Sequence, residues 1–309
     1  MRRLEIKRQL QPSDLEAVTG LLSLAEVADG HPPVDEHRWL DMAQGGRESF
    51  AGLVAWEPGH HHPVAYAQVS RGLHSWALDL VIDPHHRYDA LVLGPEMLHA
   101  ALDVVRGEGG GHVHWWVHQP AAAHDAIAGA AGLGRGRDLL QLRRPLPLDV
   151  PAPDLALRPF MVGQDDRAWL DVNNRAFAWH PEQGGWDLET LQQRFAEPWF
   201  DPAGFLLHER DGRLAGFCWT KVHRHHEPPL GEIYVIAVDP DQQGTGLGRD
   251  LVVAGLAWLH RQGLTHGMLY VDADNLAAVR LYEQLGFTTD HVDRAYVGDV
   301  ETRVQPPSR

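Results

Sequence analysis

Apolar residues run unbroken from Ile233 to Val238, and their β-branched content predicts a buried strand. Polar and glycine positions follow at Asp239-Pro240-Asp241-Gln242-Gln243-Gly244-Thr245-Gly246-Leu247-Gly248-Arg249. Beyond them the period changes. Leu251, Ala254, Gly255, Trp258 and Leu259 recur at helical spacing and mark one face of an amphipathic helix. A second short apolar run, Gly267-Met268-Leu269-Tyr270-Val271, predicts another strand, and Asp272-Ala273-Asp274-Asn275 supplies cap residues for a helix start. That helix spans 276–285 and closes on Gly286-Phe287, a C′ glycine with an apolar residue behind it.

Further upstream, the proline-dense segment Arg144-Pro145-Leu146-Pro147-Leu148-Asp149-Val150-Pro151-Ala152-Pro153-Asp154 favours an extended connector. It predicts two domains, 1–144 and 155–309, joined by a linker over 145–154. The halves repeat each other faintly. Val81-Ile82-Asp83-Pro84 matches Ala237-Val238-Asp239-Pro240 at an offset of 156, and Gly132-Leu133 matches Gly286-Phe287 at an offset of 154. At those offsets Trp76 stands where the second half has Glu232, and Ala128 where it has Tyr282.

Strand, glycine-rich turn and helix in that order aim backbone N–H groups and a positive helix end at an anion, commonly a phosphate. A Walker loop is excluded because Arg249-Asp250, not Lys then Ser or Thr, follow the last glycine. A dinucleotide fingerprint is excluded because the spacing is Gly-x-Gly-x-Gly and the turn lies late in the chain. A plain flexible turn is the alternative for this loop taken alone. Gln243, Gly246 and Gly248 resemble the acyl-CoA pyrophosphate loop of the GCN5-related N-acetyltransferases. Asn275, Ala278, Leu281, Tyr282, Gly286 and Phe287 resemble that family's second motif.

The resemblance implies an α/β (α+β) fold of two tandem acetyltransferase domains, each a mixed, splayed β-sheet flanked by helices. It implies acetyl-CoA as co-substrate, with Ile236, Ala237 and Val238 offering backbone groups to the pantetheine arm. The loop Gln243, Gly244, Thr245, Gly246, Leu247, Gly248 and Arg249 would take the pyrophosphate, with Asn275, Ala278 and Arg280 from the second motif. Tyr282 would protonate the leaving thiolate. Glu232, just before the cofactor strand and sharing a face with Tyr234 and Ile236 by alternation, would take the proton of the attacking amine. Leu80, Val81 and Ile82 are the first-half counterparts of the cofactor strand. There, however, the loop reads His85-His86-Arg87-Tyr88-Asp89-Ala90-Leu91-Val92-Leu93-Gly94 and lacks the inner glycines, so a catalytically silent first half is expected.

Two longer stretches, residues 172–186 and 269–275, are similar to the mycothiol synthases, tandem acetyltransferases of actinobacteria. That likeness implies acetyl transfer to the cysteinyl amine of Cys-GlcN-Ins, clasped between the halves. Glu36, Glu182, Lys221, Glu232 and Tyr270 would contact this acceptor, whose ammonium and hydroxyls suit carboxylates. An aminoglycoside, a polyamine or a protein N-terminus remains open as acceptor, as does a non-catalytic acetyl-CoA-binding module.

Composition narrows the classes. The 42 acidic and 27 basic residues give a net charge of −15, which disfavours general nucleic-acid binding and leaves CoA to local positive groups such as Arg249 and Arg280. No apolar stretch reaches membrane-spanning length, and Met1-Arg2-Arg3-Leu4-Glu5 opens no signal peptide, so a cytoplasmic protein is expected; a monomer is expected as well. The one cysteine, Cys218, excludes an internal disulfide and reads as a buried inert thiol. Histidines cluster at His112, His114 and His118 and at His223, His225 and His226 with Glu227, while His60-His61-His62 reads as a loop tip. Without an evident set of about four convergent ligands, no metal is expected.

Overall fold

The computed structural model describes residues 2–34, 36–44, 49–60, 62–72, 75–151, 153–178, 183–224 and 227–302. The chain divides into two units, Met1–Asp138 with Val292–Arg309, and Leu139–His291. The first contains β1 (Arg3–Lys7), α1 (Pro12–Asp29), α2 (Glu36–Gln44), β2 (Phe50–Trp56), β3 (Ala65–Arg71), β4 (Trp76–Ile82), α3 (Ala90–Gly107), β5 (Gly111–His118) and α4 (Ala122–Ala130). The second contains most of β6 (Gly134–Pro145), then β7 (Arg158–Pro159), α5 (Asp166–Ala176), α6 (Leu188–Phe195), β8 (Phe205–Arg210), β9 (Arg213–His223), β10 (Leu230–Val238), α7 (Leu247–Arg261), β11 (His266–Asp272) and α8 (Leu276–Gln284). β12 (Thr288–Val300) is the last element among the described residues, and its residues from Val292 belong to the first unit.

Within the first unit the strand order is β1-β2-β3-β4-β5-β12, and within the second it is β6-β11-β10-β9-β8-β7. Each sheet is antiparallel apart from one parallel pair, β4 with β5 and β10 with β11. These are the mixed sheets expected from the sequence. The unit boundaries differ from the proline segment, because pairing and not linker composition decides them. Leu139–Pro145 pair with β11, so the proline-rich stretch lies inside the second unit, whereas Asp293–Val300 pair with β5 in the first.

Both sheets are covered on two faces. In the second unit α7 and α8 cover one face through Leu251, Leu256, Leu259 and Tyr282, packed with Cys218, Ile233 and Leu269. α5 and α6 cover the other through Trp169, Val172 and Leu191, packed with Phe205, Phe217 and Trp219. Close packing of α7 depends on its glycine: a Cβ at Gly255 would collide with Cys218 Sγ. Buried there, the Cys218 thiol is pushed up to about 12 by desolvation, as befits an inert thiol.

A β-bulge at Tyr234 interrupts the β9–β10 register between Ile233 and Val235. Simple alternation expected Glu232, Tyr234 and Ile236 on one face. The extra residue breaks that parity: Tyr234 and Val235 both pack on the α5–α6 side, and Ile236 packs on the α7 side. Glu232 therefore keeps Tyr234 as a same-face neighbour and loses Ile236. The bulge also shifts the repeat by one residue. Glu232 lies opposite Met268 of β11 as Ala77 lies opposite His114 of β5, which makes Ala77, not Trp76, its counterpart in the first unit. β3 and β4 pair without a break from Ala65–Ile82 to Arg71–Trp76.

Candidate functional site

The parallel pair β10–β11 is short. It holds only from Gly231–Gly267 to Ile233–Leu269, while β10 continues beside β9 to Val238. From the bulge onward, the β10 edge turned away from β9 has no strand partner among the described residues. Ile236, Ala237 and Val238 lie on this splayed stretch, with backbone N–H and C=O groups available to an extended ligand.

At the end of β10 the chain forms a short 3-10 turn, Pro240–Gln242, whose first amide pair is organised by Asp239: its Oδ1 accepts from Asp241 N at 2.9 Å. Arg175 of α5 pairs with both Asp239 and Asp241, offsetting two carboxylates beside the loop. Gly244 and Gly246 then take φ of +74° and +85°, the left-handed region that a side chain resists, and a Cβ at either would point into open space. Gly246 is the N-cap of α7 and no side chain caps that end. The first intrahelical bond is Asp250 N to Gly246 O, so the amides of Leu247, Gly248 and Arg249 have no helical acceptor. Open amides, a positive helix end and bare glycines form an anion cradle. Gln243 and Thr245 are exposed on its rim, Thr245 bonding back to Gln242 O, and Arg249 is half exposed beside Asp250.

The second motif stands at the N-terminus of α8. Asn275 caps it, Oδ1 accepting from Ala278 N at 3.2 Å, with Arg280 exposed one turn on. Tyr282 is buried on the α7 side, its ring 5.8 Å from that of Phe287. Burial raises its phenol, with a further push from Cys218 nearby, so it holds its proton through neutral pH.

On the opposite face, Glu232 is buried to 6% exposure at the base of the splay. Its Oε2 is 2.7 Å from His223 Nε2, and Lys221 is its direct cross-strand partner. The Lys221 ammonium lies over Trp199 at 4.6 Å and over Tyr234 at 5.6 Å from the ring centroids. Tyr270, on the same face of β11 as Met268, is 40% exposed, and its hydroxyl accepts from Gln141 Nε2 at 2.6 Å. Thus Glu232, Lys221 and Tyr270 share one face of the second sheet. Glu36 opens α2 of the first unit with its side chain outside the described residues, and Glu182 lies wholly outside them. Sequence reading missed His223 as a partner of Glu232 and placed it in a histidine cluster. The signal was there: His223 follows Lys221 at period two on one strand. It also missed Trp199, which no motif marks.

The first unit repeats the frame without the cradle. β4 parts from β5 after Leu78–Trp115, leaving Leu80, Val81 and Ile82 splayed on that edge. Asp83 caps the following turn as Asp239 does, its Oδ1 accepting from His85 N at 2.8 Å. The turn then runs directly into α3, with Asp89 as its N-cap and no glycine before it. Gly132 and Gly286 both close their helices with φ near +80° (79° and 81°), which shows the same cap at the expected offset. Ala128, in place of Tyr282, is buried core.

The sequence matches the acetyltransferase (GNAT) family over residues 169–287. It is 46% identical to a mycothiol acetyltransferase of Thermobispora bispora, covering 95% of this chain and 98% of the other, and 44% identical to one of Streptomyces coelicolor, covering 96% and 95%. Among solved structures, a GCN5-related N-acetyltransferase from Sphaerobacter thermophilus superposes with a TM-score of 0.74 at 20% identity, over 99% of this chain and 98% of that one. A tandem GNAT protein from the clavulanic acid biosynthesis pathway gives 0.66 at 16% identity, over 99% and 100%. The tandem acetyltransferase architecture is therefore shown by fold, and identity over nearly the full length makes this chain an acetyltransferase belonging to the mycothiol acetyltransferase family.

Proposed function

We propose that the second unit transfers acetyl from acetyl-CoA to the cysteinyl amine of Cys-GlcN-Ins, giving mycothiol and CoA. One observation carries the reading: β10 leaves β11 at Ile233 and ends at an uncapped, glycine-lined helix start. From Ile233 to Val238 the splayed strand spans roughly 17 Å at about 3.3 Å per residue, room for an extended arm whose diphosphate lies on the amides of residues 244–249. Ile236, Ala237 and Val238 pair with that arm through the backbone, and Asn275, Ala278 and Arg280 flank it from α8.

The amine nitrogen attacks the thioester carbonyl directly. Glu232 takes its proton, held in place by the bond to His223, as the N–C bond forms and the C–S bond breaks. Tyr282 delivers a proton to the departing thiolate; its raised phenol is protonated at working pH. Lys221, Tyr270 and Glu182 take the polar groups of the acceptor, with Trp199 and Tyr234 holding the Lys221 ammonium. Leu80, Val81 and Ile82 offer a second splayed edge, but the first unit contributes no proton transfer, Ala77 and Ala128 standing where Glu232 and Tyr282 act. No helix among the described residues is long and apolar enough to cross a membrane, and we take the enzyme to work as a cytoplasmic monomer on a small molecule, without nucleic acid.

Purified protein supplied with acetyl-CoA and a panel of amines, with free CoA release followed, tests this reading. Cys-GlcN-Ins is expected to give the highest kcat/KM. A clear preference for aminoglycosides, polyamines or peptide N-termini overturns the acceptor, and cofactor binding without turnover of any amine overturns the enzyme.

A further inference from the structure

Outside the acetyl-transfer site, the strongest unexplained cluster lies in the first unit, around the turn that replaces the glycine loop. Glu57 follows β2, His60 closes a tight turn with its N donating to Glu57 O at 3.3 Å, and His86 lies in the 3-10 turn after β4. One ligand atom from each lies within 4.8 Å of the others. His86 is 5% exposed, and its ring is 4.7 Å from that of His60.

The pairwise distances do not describe a finished hydrogen-bond network. His86 Nε2 is 3.8 Å from Glu57 Oε2, too long for a hydrogen bond. Two donors on one tetrahedral zinc, with bonds of about 2.0–2.1 Å, stand about 3.4 Å apart. Closing the His86–Glu57 gap needs a shift of a few tenths of an ångström, and the His60 ligand atom, within 4.8 Å of both, moves in with its exposed side chain. Buried His86 Nδ1 and Asp83 Oδ2 each lack a hydrogen-bond partner, although they face each other at 3.4 Å. A buried imidazole nitrogen left without a partner is costly.

Each donor is also backed from behind. Asp83, fully buried, stands 3.4 Å from the Nδ1 edge of His86, placed to accept a hydrogen bond there and orient the ring once a small shift closes the contact. Arg2 holds the other oxygen of Glu57, Oε1, at 2.7 Å and leaves Oε2 turned to His86. His62 Nδ1 approaches Asp83 Oδ2 at 3.2 Å on the same side. His60 is exposed, which provides an entry path.

We propose that Glu57, His60 and His86 form a binding site for a divalent first-row transition metal, Zn2+ foremost, with water in the remaining position. Two imidazoles and one carboxylate are a borderline donor set that suits Zn2+ and disfavours Mg2+ or Ca2+, which demand oxygen ligands. The site is built from first-unit residues alone and does not rest on the acceptor assignment.

The test is a calorimetric titration of Zn2+ into the full-length, untagged protein, repeated with Co2+ while the visible ligand-field spectrum is recorded. The parent is expected to show one tight site, with a Co2+ spectrum of four- or five-coordinate character. His60→Ala, an exposed change that spares the core, and Glu57→Gln, which keeps an oxygen for Arg2, are each expected to weaken that site about tenfold or more. His112→Ala is expected to leave it unchanged, and Mg2+ is expected not to compete. A parent that binds no Zn2+ tightly, or His60→Ala and Glu57→Gln proteins that keep the parent affinity and Co2+ spectrum, would overturn the proposal.

Discussion

The turn after β4 and the turn after β10 start alike and end differently. Both follow a strand that leaves its parallel neighbour early, after Leu78 in one unit and after Ile233 in the other. Both open on an aspartate, Asp83 or Asp239, that accepts from the amide two residues on. The second then runs through Gly244 and Gly246 to a helix whose first amides are bare. The first fills the same place with His85, His86, Arg87 and Tyr88 and enters α3 at Asp89 with no glycine before it. A backbone frame can thus be kept while its chemistry is exchanged: amides that suit a diphosphate on one side, imidazoles and carboxylates on the other. The positions proposed for proton transfer follow the same division, Glu232 and Tyr282 against Ala77 and Ala128.

The largest effect that should sharpen this contrast comes from Glu232→Gln. It is expected to lower kcat by roughly 10²–10³-fold while calorimetry shows acetyl-CoA affinity within about twofold of the parent. Full turnover across the pH range in that variant would remove Glu232 from proton transfer. Tyr282→Phe should cost about 10²-fold in kcat, again with acetyl-CoA affinity kept. It has a second readout. Burial raises the phenol of Tyr282 in the folded state, so the folded protein retains a proton that the unfolded chain releases near pH ~10. That contribution is fully present below about pH 10 and lost above it, so thermal melts of Tyr282→Phe should show less alkaline destabilisation than the parent.

Gly248→Ala addresses the cradle itself. Gly248 is not in the left-handed region, and a Cβ there would meet Val238 Cγ2 at an ordinary 3.6 Å, so the fold accepts it. Its methyl group would nonetheless stand among the open amides, and acetyl-CoA is expected to bind about tenfold more weakly with no loss of thermal stability. Unchanged affinity would count against a diphosphate at this loop. The smallest effect is reserved for Lys221→Met, which keeps the stem over Trp199 and removes the charge. It should raise the acceptor KM by roughly three- to tenfold and change kcat little; an unaltered KM would take Lys221 out of the acceptor site.

Most of this contrast was legible in the sequence because it lives in local signals. Glycines at 244, 246 and 248, the Asn275 cap and the Gly286 closure act within a few residues of themselves, and the structure has each element where the pattern puts it. Non-local choices were not legible. Both β6 and β12 carry strand-like patterns, but nothing in either says which sheet it completes, so the unit boundary falls at 138/139 and 291/292 and not in the proline segment. The bulge at Tyr234 is invisible for the same reason: an all-apolar run reads identically with or without an extra residue. Its consequence was a one-residue error in aligning the halves at Glu232. His223 was obscured by its histidine neighbours, since only the register of β9 on β10 brings it to the carboxylate.

The most direct test is the crystal structure of the protein with acetyl-CoA. Density is expected for the diphosphate on the amides of residues 244–249 and for the thioester beside the splayed edge of β10, within reach of Glu232 and Tyr282. A cofactor absent from that loop and held at another site would contradict this placement.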